Sequence, residues 1–167
     1  MRLLVIIPAY KEEEAILGTL QSLADLPGKF DVLVVNDGSD DATAERVDGY
    51  AADHRNVHLV NLPFNCGIGV AMQTGFQYAD QHGYDYAIQF DGDGQHPADQ
   101  VMDLVNFAAA EDLDLAAADW QADCWTRSTA SSISPSSAEM VVRALSWSVG
   151  FWLIRWFNTS SRTLKSI

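Results

Sequence analysis

Apolar residues in the first two thirds of the chain occur in short continuous runs separated by polar segments. Five runs are predicted to be strands: Leu3–Ile7, Asp31–Val35, Val57–Leu62, Tyr86–Phe90 and Leu113–Ala118. The first is continuous and rich in β-branched residues, as expected of a strand covered on both faces. The intervening segments carry apolar residues at helical spacing, which predicts helices over about 12–26, 41–54, 69–81 and 97–110. This alternation predicts an α/β fold with a mainly parallel sheet between two layers of helices.

Local signals refine the predicted helices. Pro27-Gly28 is expected to end the first helix, and Ser39 or Asp40 to cap the second. Five residues are predicted to form the packing face of the third helix: Val70, Ala71, Thr74, Phe76 and Tyr78.

Polar clusters follow four of the predicted strands, at 8–12, 37–40, 65–67 and 91–93. Because the carboxyl ends of parallel strands lie at one edge of a sheet, these clusters are expected together there. Ligands of open α/β sheets bind at that edge.

Composition narrows the function. The 167-residue chain has a formal charge of -13, which argues against nucleic-acid binding because phosphate contacts need clustered Lys and Arg. If the protein binds phosphates, a metal or backbone amides must supply most of the positive charge. Two cysteines are too few for a disulfide framework or a zinc site. The apolar start is short and has no small-residue cleavage site, so we expect a first strand and a cytoplasmic protein.

The segment QFDGDGQHP contains the strongest candidate chemistry. Asp91 and Asp93 flank Gly92, whose backbone freedom would let both carboxylates face one point. Carboxylate and amide oxygens suit Mg²⁺, so Asp91, Asp93 and Gln95 form a candidate metal site. An acidic turn that caps the helix starting at Pro97 is the alternative. An EF-hand loop is disfavoured because His96 stands where that loop needs glycine.

Two other loops allow both structural and functional interpretations. Asp37 could belong to a turn that caps the next helix, or it could accept hydrogen bonds from a nucleotide. The segment 65–75 is glycine-rich, but it lacks the G-x-G-x-x-G spacing and the Walker lysine. This disfavours a dinucleotide-dependent oxidoreductase.

Four segments in this order, VIIPAYKEEEAI, VLVVNDGSDDAT, NCGIGVAMQTGFQYA and QFDGDGQHP, resemble the donor half of family-two glycosyltransferases with the GT-A fold. The resemblance is greatest to the subgroup that transfers a hexose to a polyprenyl phosphate, such as dolichol-phosphate mannose synthases, and it spans about residues 1–118. It implies a nucleotide-sugar donor linked to UDP or GDP, a lipid-phosphate acceptor, and a single inverting displacement at the anomeric carbon.

The resemblance also implies roles for individual residues. Asp91 and Asp93 match the D-x-D element, which is catalytic and binds metal and diphosphate, and Gln95 matches an amide that some members add to the metal ligands. The cofactor implied is Mg²⁺ or Mn²⁺. The nucleotide-binding residues implied are Pro8, Ala9, Tyr10, Glu12, Asp37, Asn65 and Gly67.

Residues 119–167 depart from the family pattern. The family presents a Gly-Ser-Arg-like segment after the fifth strand, whereas this chain continues into a Ser- and Trp-rich tail. We therefore expect a donor half over 1–118, a divergent or incomplete C-terminal part over 119–167, and a truncation or frameshift near 118–127, which the coding DNA can test. A helix over 138–157 could pack on the core or contact a membrane peripherally, placing the protein at the inner face.

Two alternatives stay open. The chain could bind nucleotide and metal without transferring sugar, which the missing acceptor elements favour. It could also be an unrelated α/β nucleotide-binding regulator, in which case replacing Asp91 or Asp93 would leave nucleotide binding largely intact.

Overall fold

The computed structural model describes residues 1–92, 99–110, 115–119, 124–128 and 151–155, and side chains only within 1–110. The elements alternate between strand and helix as far as residue 119. In chain order they are β1 (Leu3–Ala9), α1 (Ile16–Ala24), β2 (Asp31–Asn36), α2 (Thr43–Asp53), β3 (Val57–Asn61), α3 (Ile68–Gln81), β4 (Tyr86–Gln89), α4 (Asp99–Ala110), β5 (Leu115–Asp119), β6 (Cys124–Ser128) and β7 (Phe151–Arg155).

The strands form one sheet in the order β3-β2-β1-β4-β7-β5-β6. The first four strands in this order are parallel, and Val5 at the centre pairs with Val32 on one side and Ile88 on the other. β7 lies antiparallel between β4 and β5, and β6 pairs antiparallel with β5. The predicted α/β fold with a parallel sheet is confirmed.

Helices cover both faces of the parallel strands. Alternate residues of β1 point to opposite faces, so Val5 and Ile7 pack with α1, α2 and α4, whereas Leu4 and Ile6 pack with α3. All four side chains are fully buried, and complete burial of a large apolar side chain stabilises a fold by about 1.5–3 kcal/mol. The two cores hold the carboxyl edge of the sheet in place.

The predicted cap of α2 is wrong. α2 begins at Thr43, whose N–H donates to Asp41 Oδ1 at 3.0 Å. Ser39 Oγ instead accepts a hydrogen bond from Lys11 N, and Asp40 forms an ion pair with Lys11. Both expected caps therefore connect the loops after β1 and β2.

The predicted packing face of α3 is wrong in part. Val70 is 41% exposed, and the buried residues are Ala71, Met72, Gly75, Phe76 and Ala79. Gly75 lies directly against the Ile6 side chain, where a β-carbon would overlap it. The helix thus approaches β1 through small residues, which a search for large apolar residues passes over.

The helix expected over 138–157 is wrong at its C-terminal end, because Phe151–Arg155 form β7. This segment is rich in aromatic and branched residues, and both its neighbours offer backbone hydrogen-bonding partners. Residues 138–150 lie outside the described part of the chain. Within the described part, no helix has the length and apolar character needed to cross a bilayer.

Candidate active site

A cavity of about 230 Å³ opens at the carboxyl ends of β1, β2 and β4. Six of the residues predicted to form the site line it: Pro8, Ala9, Tyr10, Glu12, Asp37 and Asp91. Gly92, Ile68 and Ala71 complete the lining. The predicted convergence of the strand-end clusters on one edge is therefore found for three of the four strands.

The cavity lining is acidic. Glu12, Asp37 and Asp91 contribute three carboxyl groups, and the described lining includes no lysine or arginine. Lys11, which lies between two lining residues in the sequence, has its Nζ 2.9 Å from Asp40 Oδ1. Their hydrogen bond raises the pKa of Lys11 and lowers that of Asp40. Lys11 thus already has an anionic partner outside the cavity.

Asp37 joins the cavity to the loop before α3. Its side chain is buried, and its Oδ1 accepts a hydrogen bond from Cys66 N at 2.7 Å while its Oδ2 accepts one from Gly67 N at 2.8 Å. Hydrogen bonds to a charged acceptor are about twice as strong as neutral ones. Asp37 therefore fixes the position of this loop, whichever ligand it also contacts.

Asn65 and Gly67 lie in that loop and are not part of the cavity lining. Asn65 Oδ1 accepts a second hydrogen bond from Gly67 N at 3.1 Å. Gly38 packs directly against the backbone of Phe64 and Asn65 and has a φ of +66°, so its position has no room for a side chain. The loop before α3 is thus held in place by the side chain of Asp37 and by packing against Gly38.

Glu12 is positioned by the loop after β2. Its backbone N–H donates to Thr43 Oγ1 at 2.9 Å, and that hydroxyl donates to Asp41 Oδ1. In return, Glu13 Oε2 accepts a hydrogen bond from Ala42 N at 2.9 Å. The contacts of Glu12 with Thr43 and of Glu13 with Ala42 join residues about thirty positions apart, so they have no signature in a local sequence pattern.

The turn after β4 carries the first half of the D-x-D element. Asp91 is half-buried, and its Oδ1 accepts a hydrogen bond from Gln89 Nε2 at 3.1 Å. Gly92 is buried, and a β-carbon there would lie 3.3 Å from Ile7 Cγ2 and 3.5 Å from Pro8 O. A β-carbon at this central position would therefore fit tightly, and the Ile7 side chain would have to shift slightly.

Asp93 and Gln95, the other predicted metal ligands, lie outside the described residues. Within the described part of the chain, no group of three or more His, Cys, Asp or Glu side chains could hold a metal. Asp91 and Glu12 line one cavity and offer carboxylate oxygens, which are the donors that Mg²⁺ and Mn²⁺ prefer. The residues present suit a hard divalent cation in their chemistry.

A cavity at the carboxyl edge of a parallel sheet, beside the first turn of a helix, is where open α/β proteins bind their ligands. The chain belongs to glycosyl transferase family 2, whose sequence profile matches residues 4–159. The family is one of transferases, and the predicted relationship is confirmed.

Two relatives transfer sugars to polyprenyl carriers according to their names. Undecaprenyl-phosphate mannosyltransferase of Micrococcus luteus is 38% identical over 113 residues, which are 68% of this chain and 46% of the relative. Polyprenol monophosphomannose synthase of Mycolicibacterium smegmatis is 34% identical over 106 residues, 63% of this chain and 40% of the relative. The chain therefore spans less than half the length of these relatives.

Two solved structures share the fold. TarS 1–349 of S. aureus in complex with UDP aligns with a TM-score of 0.58 and 28% identity, over 69% of this chain and 34% of that one. The mannosyltransferase PcManGT of Pyrobaculum calidifontis, in complex with GDP-Man and Mn²⁺, aligns with a TM-score of 0.58 and 24% identity. This alignment covers 68% of this chain and 34% of that one. The second similarity supports the GT-A fold alone.

Proposed function

We propose that the protein transfers a sugar from a nucleoside-diphosphate sugar to a polyprenyl phosphate by a metal-assisted inverting displacement. The observation that carries the proposal is the acidic cavity at the carboxyl edge of the sheet in a member of this family. Three carboxyl groups and no described basic side chain line it. A diphosphate can bind such a surface only when a cation offsets the negative charge.

The residues of the cavity suggest a division of labour. Pro8, Ala9 and Tyr10 supply an apolar and aromatic wall suited to a nucleobase, and Asp37 offers an acceptor for its N–H groups. The N-terminus of α3 reaches the cavity through Ile68 and carries the positive end of the helix dipole. We assign the diphosphate to the space between this helix and Asp91.

In the proposed mechanism, Asp91, Asp93 and Gln95 hold Mg²⁺ or Mn²⁺. The bound cation would act as a Lewis acid that stabilises charge on the departing diphosphate. A phosphate oxygen of the acceptor attacks the anomeric carbon from the face opposite the nucleoside diphosphate, so one C–O bond forms as another breaks. The acceptor is already anionic, and this step needs no strong general base.

The choice of acceptor is supported by the names of the two relatives, both of which act on polyprenyl carriers. We propose that residues 1–118 bind the donor and that residues 119–167 form a divergent part. This part would contact the membrane peripherally and place the site at the inner, cytoplasmic face. A lipid acceptor would be presented to the cavity there.

A second candidate function is nucleotide and metal binding without transfer. The observation that favours it is the sequence after β5, where Ala118-Asp119-Trp120-Gln121 replaces the Gly-Ser-Arg-like segment of the family. Nucleotide binding alone would be retained in that case, because the residues that line the cavity precede this point.

Incubation of the 167-residue chain with radiolabelled GDP-mannose or UDP-glucose, undecaprenyl phosphate in detergent and Mn²⁺ tests the proposal. Extraction of labelled lipid into organic solvent is the expected result, with none formed in EDTA or by Asp91→Asn. Binding of nucleotide without labelled lipid would favour the second candidate. If the chain neither bound nucleotide nor formed labelled lipid, the proposed function would be wrong.

A further inference from the structure

A threonine of α1 contacts the turn that carries Asp91. Thr19 Oγ1 donates a hydrogen bond to the backbone carbonyl of Gly92 at 2.9 Å, across 73 positions of sequence, and it also lies 3.3 Å from the carbonyl of Ala15, one helical turn earlier. The contact with Gly92 O is the shorter of the two. Thr19 is only 1% exposed, and Gly92 is also buried. The bond therefore lies out of contact with bulk water.

The hydrogen bond from Thr19 is made at the point where the chain leaves the sheet after β4. A backbone hydrogen bond from Phe90 N to Ile6 O at 2.8 Å joins the chain after β4 to β1. Beyond it the chain leaves the sheet, and a buried carbonyl needs a donor from elsewhere. Thr19 supplies that donor to Gly92, whose carbonyl belongs to the peptide group that leads into Asp93.

The turn is fixed on its other side by packing. A β-carbon at Gly92 would lie 3.3 Å from Ile7 Cγ2 and 3.6 Å from Glu12 Cγ, so the turn runs close to the end of β1 and to a residue of the cavity. A turn pressed against β1 and hydrogen-bonded to α1 has little freedom to rotate. The two contacts together restrain the backbone of the turn that carries Asp91.

We infer that Thr19 is a positioning residue for the metal-binding turn, acting through its hydrogen bond to Gly92. The inference rests on the proposed function, because it assigns Asp91 and Asp93 to the cation. Thr19 itself touches neither donor nor metal in this arrangement. Its hydroxyl lowers the free energy needed to hold the turn ready for the cation.

The test compares two substitutions of Thr19 with a matched control. Thr19→Val keeps the shape and removes the hydroxyl, whereas Thr19→Ser keeps the hydroxyl. The control is Thr74→Val on α3, which removes a threonine hydroxyl bonded only to the carbonyl four residues earlier, Val70 O, at 2.9 Å. Calorimetric titration of UDP and GDP in Mn²⁺ gives Kd, and urea unfolding gives the free energy of unfolding.

Thr19→Val leaves the buried carbonyl of Gly92 without this donor. Thr19→Val is therefore expected to raise the Kd of the nucleotide in Mn²⁺ by about tenfold. The Kd values of Thr19→Ser and Thr74→Val should stay within about twofold of that of the unsubstituted chain. In the ligand-free protein, Thr19→Val should speed hydrogen exchange in peptides that contain Asp91 and Gly92 more than in peptides from β2.

The outcomes separate this inference from the proposed function. An unchanged Kd for Thr19→Val, together with a lower free energy of unfolding, would mean that the role of Thr19 is purely structural. The proposed function would still stand in that case if Asp91→Asn abolished nucleotide binding. Equal loss of affinity in Thr19→Ser would overturn the role of the hydroxyl. No metal-dependent binding by the unsubstituted chain would overturn both.

Discussion

Charged side chains are arranged differently at the two ends of the parallel strands, which are the amino and carboxyl edges of the sheet. At the amino edge, Arg2 lies over the Tyr84 ring and 3.8 Å from Asp31, and the Tyr84 hydroxyl donates to Asp31 at 2.6 Å. Burial and this hydrogen bond raise the pKa of Tyr84 above its usual value. At the carboxyl edge, three carboxyl groups share one cavity whose described lining has no basic side chain.

The comparison separates a structural cluster from a candidate site. Charges at the amino edge have side-chain partners of opposite sign within the fold. At the carboxyl edge, Asp37 is held by backbone amides and Asp91 by an amide side chain. A cavity with three carboxyl groups and no described basic side chain in its lining is suited to a cation brought by the ligand, which is the chemistry of the proposed transfer.

The largest loss of stability is expected from a substitution at Gly38, where the carboxyl edge has no space for a side chain. Gly38→Ala places a β-carbon in a left-handed conformation and against the backbone of Phe64 and Asn65. We expect the free energy of unfolding to fall by about 3 kcal/mol, measured by urea denaturation.

Gly49→Ala is the control for Gly38→Ala. Nothing lies within 4 Å of the β-carbon that this substitution adds to α2. A helical glycine is about 1 kcal/mol less favourable than alanine, so the control should stabilise. Equal effects of the two substitutions would contradict the packing described for Gly38.

The next effect is expected from Asp37→Asn. It removes the charge and places an N–H₂ group against one of the two backbone amides of the 66–67 loop. We expect a loss of about 2 kcal/mol in stability and weaker nucleotide binding. Asp48→Asn, at an exposed position of α2, is the control and should change neither. Unchanged stability of Asp37→Asn would show that the loop does not depend on this carboxylate.

The smallest effect is expected at the amino edge. Tyr84→Phe removes the hydroxyl that donates to Asp31, which should lower the free energy of unfolding by about 1 kcal/mol. Nucleotide affinity in Mn²⁺ should stay unchanged, because this edge lies at the opposite end of the strands. A parallel loss of affinity, measured by calorimetry, would mean that the two edges are not independent.

The sequence could predict the first five strands and the edge at which the candidate site lies, because both follow from local patterns. Runs of apolar residues predict the four parallel strands, and polar residues that follow β1, β2 and β4 line the cavity. Asp91 and Asp37 were recognised from their motifs. Their positions in the cavity follow from the geometry of a parallel sheet.

Interactions between distant segments could not be predicted in this way. The partners of Asp37 and Thr19 lie 29 and 73 residues away, and neither distance leaves a periodic signal. The close approach of α3 depends on Gly75, which a count of large apolar residues passes over. β7 is a strand because β4 and β5 flank it, which depends on the order of strands in the sheet.

The central claim is that the carboxyl edge binds a nucleoside diphosphate only together with a divalent cation. Calorimetric titration of UDP and GDP into the 167-residue chain, in Mn²⁺ and in EDTA, tests it most directly. We predict binding of one nucleotide in Mn²⁺, a loss of at least about tenfold in EDTA, and the same loss in Asp91→Asn. The control Asp103→Asn, exposed on α4, should bind normally. Equal affinity in Mn²⁺ and EDTA would contradict the account, because the acidic cavity would then bind the diphosphate without a cation.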